Sequence, residues 1–105
     1  MKVLRIESMK FHAGCWKKAG PVLKKIKSLG QAAGFPKVKV YATVSGGDAM
    51  HTVHMVSEWN SLSAMESMEA KMNGKKDLMG AMEKLADVVD SSHVTLFKDI
   101  SGKGI

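Results

Sequence analysis

The chain has 105 residues, 45% of them apolar and 25% charged, with 16 Lys and Arg against 10 Asp and Glu for a net charge of +6. That length suits one domain, residues 1–105, with a two-layer core, and the composition is that of a soluble globular protein. No apolar run reaches the roughly 20 residues that span a bilayer, MKVLRIES lacks a leader's cleavage site, and the single cysteine, Cys15, forbids an internal disulfide; no membrane partner and a reducing cytoplasm are therefore expected.

Residues 2–12 alternate, with Leu4 and Ile6 on one side and Val3, Arg5, Glu7 and Met9 on the other, and predict the first strand. From 13 to 33 the apolar residues Trp16, Ala19, Leu23, Ile26 and Ala33 recur at helical spacing, broadened by Val22 and Leu29. Pro21 predicts a loose first turn over 14–20 or a kink. Gly30 and Gly34 offer stops, and Phe35-Pro36 marks the exit.

Residues 37–45 predict a strand with Val38, Val40, Ala42 and Val44 on one face and Lys39, Tyr41 and Thr43 on the other. Gly46-Gly47-Asp48 signals a hairpin to a partner strand over 50–59. In that strand His51, Val53, Met55, Ser57 and Trp59 alternate with Thr52, His54, Val56 and Glu58. Asn60 or Ser61 can cap the next helix, and Ser63-Ala64-Met65-Glu66 matches a capping box. Its stripe is Leu62, Met65, Met68 and Met72, ended by Asn73-Gly74. A further helix over 76–89 carries Leu78, Met82, Leu85 and Val89, weakened by Gly80. The last strand, 92–100, sets Val94, Leu96 and Ile100 against His93, Thr95, Phe97 and Asp99, and the tail 101–105 is expected to fray.

The order βαββαβ specifies an α+β, ferredoxin-like sandwich: a four-stranded antiparallel sheet with helices on one face. The second sheet face then needs a cover, since Val38 or Tyr41 on it would leave apolar area in water.

Few residue groups announce chemistry. His51 and His54, three apart on one strand, point to opposite faces and cannot share a metal. His12 and Cys15 lack a second pair of ligands, and the nine methionines fall at packing positions without a Met–His cluster. No metal and no cofactor are expected. The charge is lysine-borne, with Arg5 the only arginine. Nucleic-acid readers depend on arginine forks, so the lysine clusters read as a solvated face attractive to anions. RNA-recognition modules share the element order but require a Lys/Arg-Gly-aromatic signature, which MHTVHMVSEW lacks. No nucleic-acid partner is expected.

At SEWNSLSAMESMEAKM the chain resembles the dimeric α+β barrel superfamily, and within it the NIPSNAP-like and antibiotic-biosynthesis-monooxygenase-like members. The shared feature is a third strand ending in an aromatic, then a polar residue and Ser, then a helix: Glu58-Trp59-Asn60-Ser61-Leu62. The resemblance implies a homodimer closed through the free sheet faces, with ligand held in a sheet–helix cleft or in the barrel. The haem-degrading branch uses an Asn on the first strand, a Trp in the helix after the third and a downstream His. This chain has Glu7-Ser8, methionines, and no histidine between His54 and His93, so haem chemistry is not expected.

The functional expectation is a cytoplasmic homodimer binding a small, partly apolar, anionic organic molecule. Arg5, Tyr41 and Trp59 are the candidate ligand-binding residues. Glu7, His51 and His54 are the candidates for acid–base work in a cofactor-independent oxygenation or isomerisation. The alternative is a non-catalytic dimeric interaction or stress protein.

Overall fold

A computed structural model describes residues 1–46 and 52–105. Its elements run β1 (Val3–Phe11), α1 (Trp16–Ala32), β2 (Lys39–Ala42), β3 (Thr52–Trp59), α2 (Leu62–Met72), α3 (Lys76–Ala86) and β4 (Val89–Lys98). The sheet order is β2-β3-β1-β4, with every neighbouring pair antiparallel. This is the expected α+β ferredoxin-like sandwich, its helical return split into α2 and α3. The molecule is only 18 Å through its thinnest dimension, one sheet plus one helix layer. Among the described residues, no helix is long and apolar enough to cross a membrane.

Alternation decides the layers. The odd residues of β1 and β3 face the helices: Met9, Phe11, Val53 and Met55 are buried with Ala19 and Leu23 of α1, Leu85 of α3 and Val88 just after it. A second, smaller cluster at the opposite end of the strands joins Val3 and Trp59 to Met65 of α2, flanked by Phe35 and Met68. The even residues face away: Leu4, Ile6 and Ser8 of β1 stand opposite Glu58, Val56 and His54 of β3, and opposite Phe97, Thr95 and His93 of β4.

Several expectations need correcting. Pro21 lies inside a continuous α1. It removes the amide that would bond the Lys17 carbonyl, and the helix tolerates one missing bond near its solvated start. Trp16 is 48% exposed and not in the buried stripe, its ring tilted against Phe11 with centroids 5.9 Å apart. β2 is shorter than 37–45. Val38 borders the core on the helix side, so of the two residues expected on the outer face only Tyr41 is there. Of the two caps offered for α2, Ser61 is the one used, its hydroxyl accepting from the Ala64 amide at 3.0 Å; Ser63 lies inside the helix, so the capping box expected from it is not the cap. α3 ends at Ala86, and Val89 starts β4 instead of closing the helix, so β4 begins three residues earlier than expected. The proposed hairpin over Gly46-Gly47-Asp48 falls largely outside the described residues, as does His51.

Candidate functional site

Between the two core clusters, midway along β1 and β3, the helix-facing side of the sheet turns polar. Arg5 and Glu7 follow Val3 on the inward face of β1, and Arg5 stands opposite Ser57 while Glu7 stands opposite Met55. Charged residues on a core-facing strand require compensation, because desolvating an unpaired ion costs several kcal/mol. The compensation is visible. One terminal nitrogen of Arg5 lies 3.5 Å from Glu7 Oε1, and its Nε lies 3.4 Å from Glu69 Oε1 on α2. The Arg5 and Glu7 side chains are each 24% exposed, so the pair is reached from solvent through a limited opening.

Around this polar centre lies a cavity of about 210 Å³. Met55, Ser57 and Trp59 of β3 form its floor beside Arg5 and Glu7; Ile26, Lys27 and Gly30 of α1, Met72 of α2 and Leu78 and Met82 of α3 form its walls. Phe35, Pro36 and Val38 close the end where α1 gives way to β2.

Local sequence explains that closure. Gly34 takes φ +93°, and the amides of Gly34 and Phe35 bond back to Gln31 and Gly30 at 3.1 and 2.9 Å. This paired bond pattern ends a helix on a left-handed glycine and turns the next residue inward. Phe35 thereby meets Trp59 edge-on, with ring centroids 5.9 Å apart and planes at 65°. Ser57 is buried, and its hydroxyl accepts the Trp59 indole N–H at 2.9 Å, which fixes the large ring over the cavity.

The expected site residues divide between the two sheet faces. Arg5, Glu7 and Trp59 come together in the cleft. Tyr41 and His54 stand in register with each other on the opposite face, where the phenol is 51% exposed. There Nδ1 of His54 lies 2.8 Å from the Ser8 hydroxyl and Nε2 lies 3.0 Å from that of Thr43. His12, at a strand end, lies 3.9 Å from Asp90, and Cys15 packs half-buried against the core. Sequence reasoning did not single out Glu69, Lys27 or Ser57, and it placed Met72 and Met82 in the apolar stripes of their helices. Ser57 alone left a trace, as the polar residue on the apolar side of β3.

Chemically, the cleft joins a carboxylate and a guanidinium to an apolar, methionine- and aromatic-lined chamber. One guanidinium N–H bonds Glu7 and the Glu69 carboxylate sits 3.4 Å from Nε, so Arg5 keeps N–H groups that can meet a ligand oxygen. Glu7 can accept a proton, and Arg5 can hold the negative charge that results.

No protein-family sequence model matches the chain, and no curated protein matches it in sequence. Solved structures do match in shape. A NIPSNAP family protein of Agrobacterium tumefaciens str. C58 superposes with a TM-score of 0.80 at 11% identity, covering 96% of this chain and 95% of that one. An uncharacterized NIPSNAP domain protein from Burkholderia xenovorans gives 0.80 at 8% identity, covering 94% and 95%. SnoaB, a cofactor-independent oxygenase from Streptomyces nogalater, gives 0.71 at 13% identity, covering 95% and 94%. The chain therefore carries the α+β fold that NIPSNAP proteins share with antibiotic-biosynthesis-monooxygenase-like proteins.

Proposed function

We propose that the chain is a cytoplasmic homodimer that binds a small, partly apolar organic molecule in the sheet–helix cleft, and that the ligand is a single-ring phenol or enol. The observation that carries this reading is the Arg5–Glu7 pair on the helix-facing side of the sheet, opening into a mostly apolar cavity of about 210 Å³. A cavity of about 150 Å³ holds benzene, so one substituted ring is the natural size. Met55, Met72 and Met82 favour an aromatic occupant, because thioethers contact ring edges favourably. The ligand's oxygen would face Arg5, which suits an anionic or enolisable group.

The chemistry this arrangement supports is proton transfer. Glu7 takes the proton from the hydroxyl or from a carbon beside a carbonyl, and Arg5 stabilises the enolate. Return of that proton to another carbon is isomerisation. Addition of dioxygen to the enolate carbon, with the Glu7 proton returned to the distal oxygen to give a hydroperoxide, would be an oxygenation without a cofactor; SnoaB, described as a cofactor-independent oxygenase, shares this fold. The dimer is supported by the outer sheet face, where Tyr41 and Phe97 are each about half exposed.

The test is a thermal-shift screen with simple phenols, quinones and short organic acids. A ligand at about 100 times its Kd adds about 2.7 kcal/mol to stability, a rise of roughly ten degrees. Arg5→Lys, which keeps the charge and loses the fork, should weaken binding. Glu7→Gln should retain binding and lose turnover. If no compound class raises the unfolding midpoint, the ligand-binding reading fails.

A further inference from the structure

The outer sheet face is usually read as a surface awaiting cover, but one end of it is built differently from the other. We propose that this end is a second site, for a small oxyanion such as inorganic phosphate or the phosphoryl end of a small ester. It is formed by Ser8, Lys10, Thr43, His54, Ser91 and His93 around a cleft of about 340 Å³. The proposal is independent of the Arg5–Glu7 cleft, which lies on the opposite face.

Strand register assembles the group. Ser8 stands opposite His54 on one side and His93 on the other, and Lys10 stands opposite Ser91. All project from the same face because side chains alternate along a strand. Each offers an N–H or O–H donor, and among the described residues no carboxylate lines the cleft. Among the described residues, Lys10 forms no ion pair. The nearest carboxylate on this face of β3 is Glu58, four residues beyond His54 and paired with Lys2 at 3.0 Å. The Arg5 cleft differs in kind: there two carboxylates already face the guanidinium.

The imidazole of His54 makes the cluster a proton-linked donor set. Its ring is pinned between two hydroxyls, at 2.8 Å to Ser8 and 3.0 Å to Thr43. In the neutral ring one nitrogen donates and the other accepts, so one hydroxyl spends its proton on the ring and the other keeps its own for a ligand. In the charged ring both nitrogens donate, and both hydroxyls are free to donate into the cleft. Protonation therefore adds a positive charge and a second O–H donor together. The groups facing His54 from the neighbouring strands are Ser8 on β1 and Tyr41 on β2, with Lys10 and His93 beyond Ser8; none of these is a carboxylate.

The test is an NMR titration of the full chain with sodium phosphate, at constant ionic strength of about 0.15 M with chloride as the balancing ion. The expected result is saturable shifts confined to residues 8–10, 52–54 and 91–93. Lys10 and His93 are exposed, so Lys10→Gln with His93→Gln should keep the native spectrum and weaken phosphate binding about tenfold or more. Ser8→Ala with Thr43→Val removes both hydroxyl donors and should also weaken phosphate binding. Phenyl phosphate binding more tightly than phosphate identifies an ester ligand, and equal binding identifies the free ion. The proposal is overturned by non-saturable shifts, by the same shifts with chloride, or by a Lys10/His93 double variant that binds like the parent.

Discussion

The indole N–H of Trp59 donates to the Ser57 hydroxyl at 2.9 Å, two residues back on the same face of β3, with both residues buried. The pair holds one wall of the cleft and one core cluster together, because Trp59 packs on Val3 and Met65 on one side and lines the cavity on the other.

Ser57→Ala leaves that indole N–H buried without an acceptor. The expected cost is about 1–3 kcal/mol, the penalty of an unsatisfied buried donor. Trp59→Phe removes the donor and should make the serine largely dispensable. In a double-mutant cycle followed by urea unfolding, the combined loss should fall clearly short of the sum of the single losses. Simple additivity would show that the hydrogen bond carries no weight.

Ser61→Ala tests the corner where β3 hands over to α2. Its hydroxyl accepts the Ala64 amide, and removing an N-cap of this kind costs about 1 kcal/mol. Asn60→Ala should cost much less, since Asn60 is exposed and is not the cap. Equal losses at the two positions would contradict the assigned cap.

That corner also shows what the sequence makes legible. Cap chemistry and alternation are local, so Ser61 as a cap, Trp59 as an inward aromatic and the opposite-facing pair Val3/Leu4 are all readable from neighbours a few residues away. Strand parity groups Arg5 and Glu7 on one side of β1 against Leu4 and Ile6 on the other, but which side meets the helices is settled only by the fold. Parity set Tyr41 and His54 against them once the register was known, but register is a pairing between distant segments and no short motif states it. Glu69 and Lys27 reach the cleft only because α2 and α1 cross the sheet there. The misplaced start of β4 has a different cause: Leu85, Val88 and Val89 satisfy a helical stripe as well as a strand's apolar entry, and tertiary pairing of Val89 with Phe11 decides between them.

Two glycines should respond to alanine with opposite signs. Gly80 lies within α3, and a Cβ added there meets nothing within 4 Å, so Gly80→Ala should stabilise by about 0.5–1 kcal/mol. Gly34 sits at φ +93°, where a side chain costs about 1–2 kcal/mol, so Gly34→Ala should destabilise and loosen the turn that carries Phe35. Thermal unfolding of both variants decides it. A stabilised Gly34→Ala would mean that the α1 exit does not need its left-handed residue.

The proposed dimer makes its own prediction, separate from the cleft. Away from the Ser8 and His54 row the outer face carries apolar residues along its middle, Ile6 opposite Val56 and Leu4 opposite Phe97, with Lys39, Glu58 and Thr95 beside them. Sedimentation should therefore report twice the 11.4 kDa chain mass, with an unfolding midpoint that rises with protein concentration, as mass action requires of an associating native state. Ile6→Lys places a charge in the middle of that face. Because Ile6 lies outside both buried clusters, the variant should stay folded while sedimenting as a single chain, with a midpoint that no longer depends on concentration. A parent protein that sediments at 11.4 kDa across micromolar concentrations removes the dimer. It leaves the Arg5–Glu7 cleft untouched, since that cavity lies on the helix-facing side of the sheet, away from the face the dimer would cover.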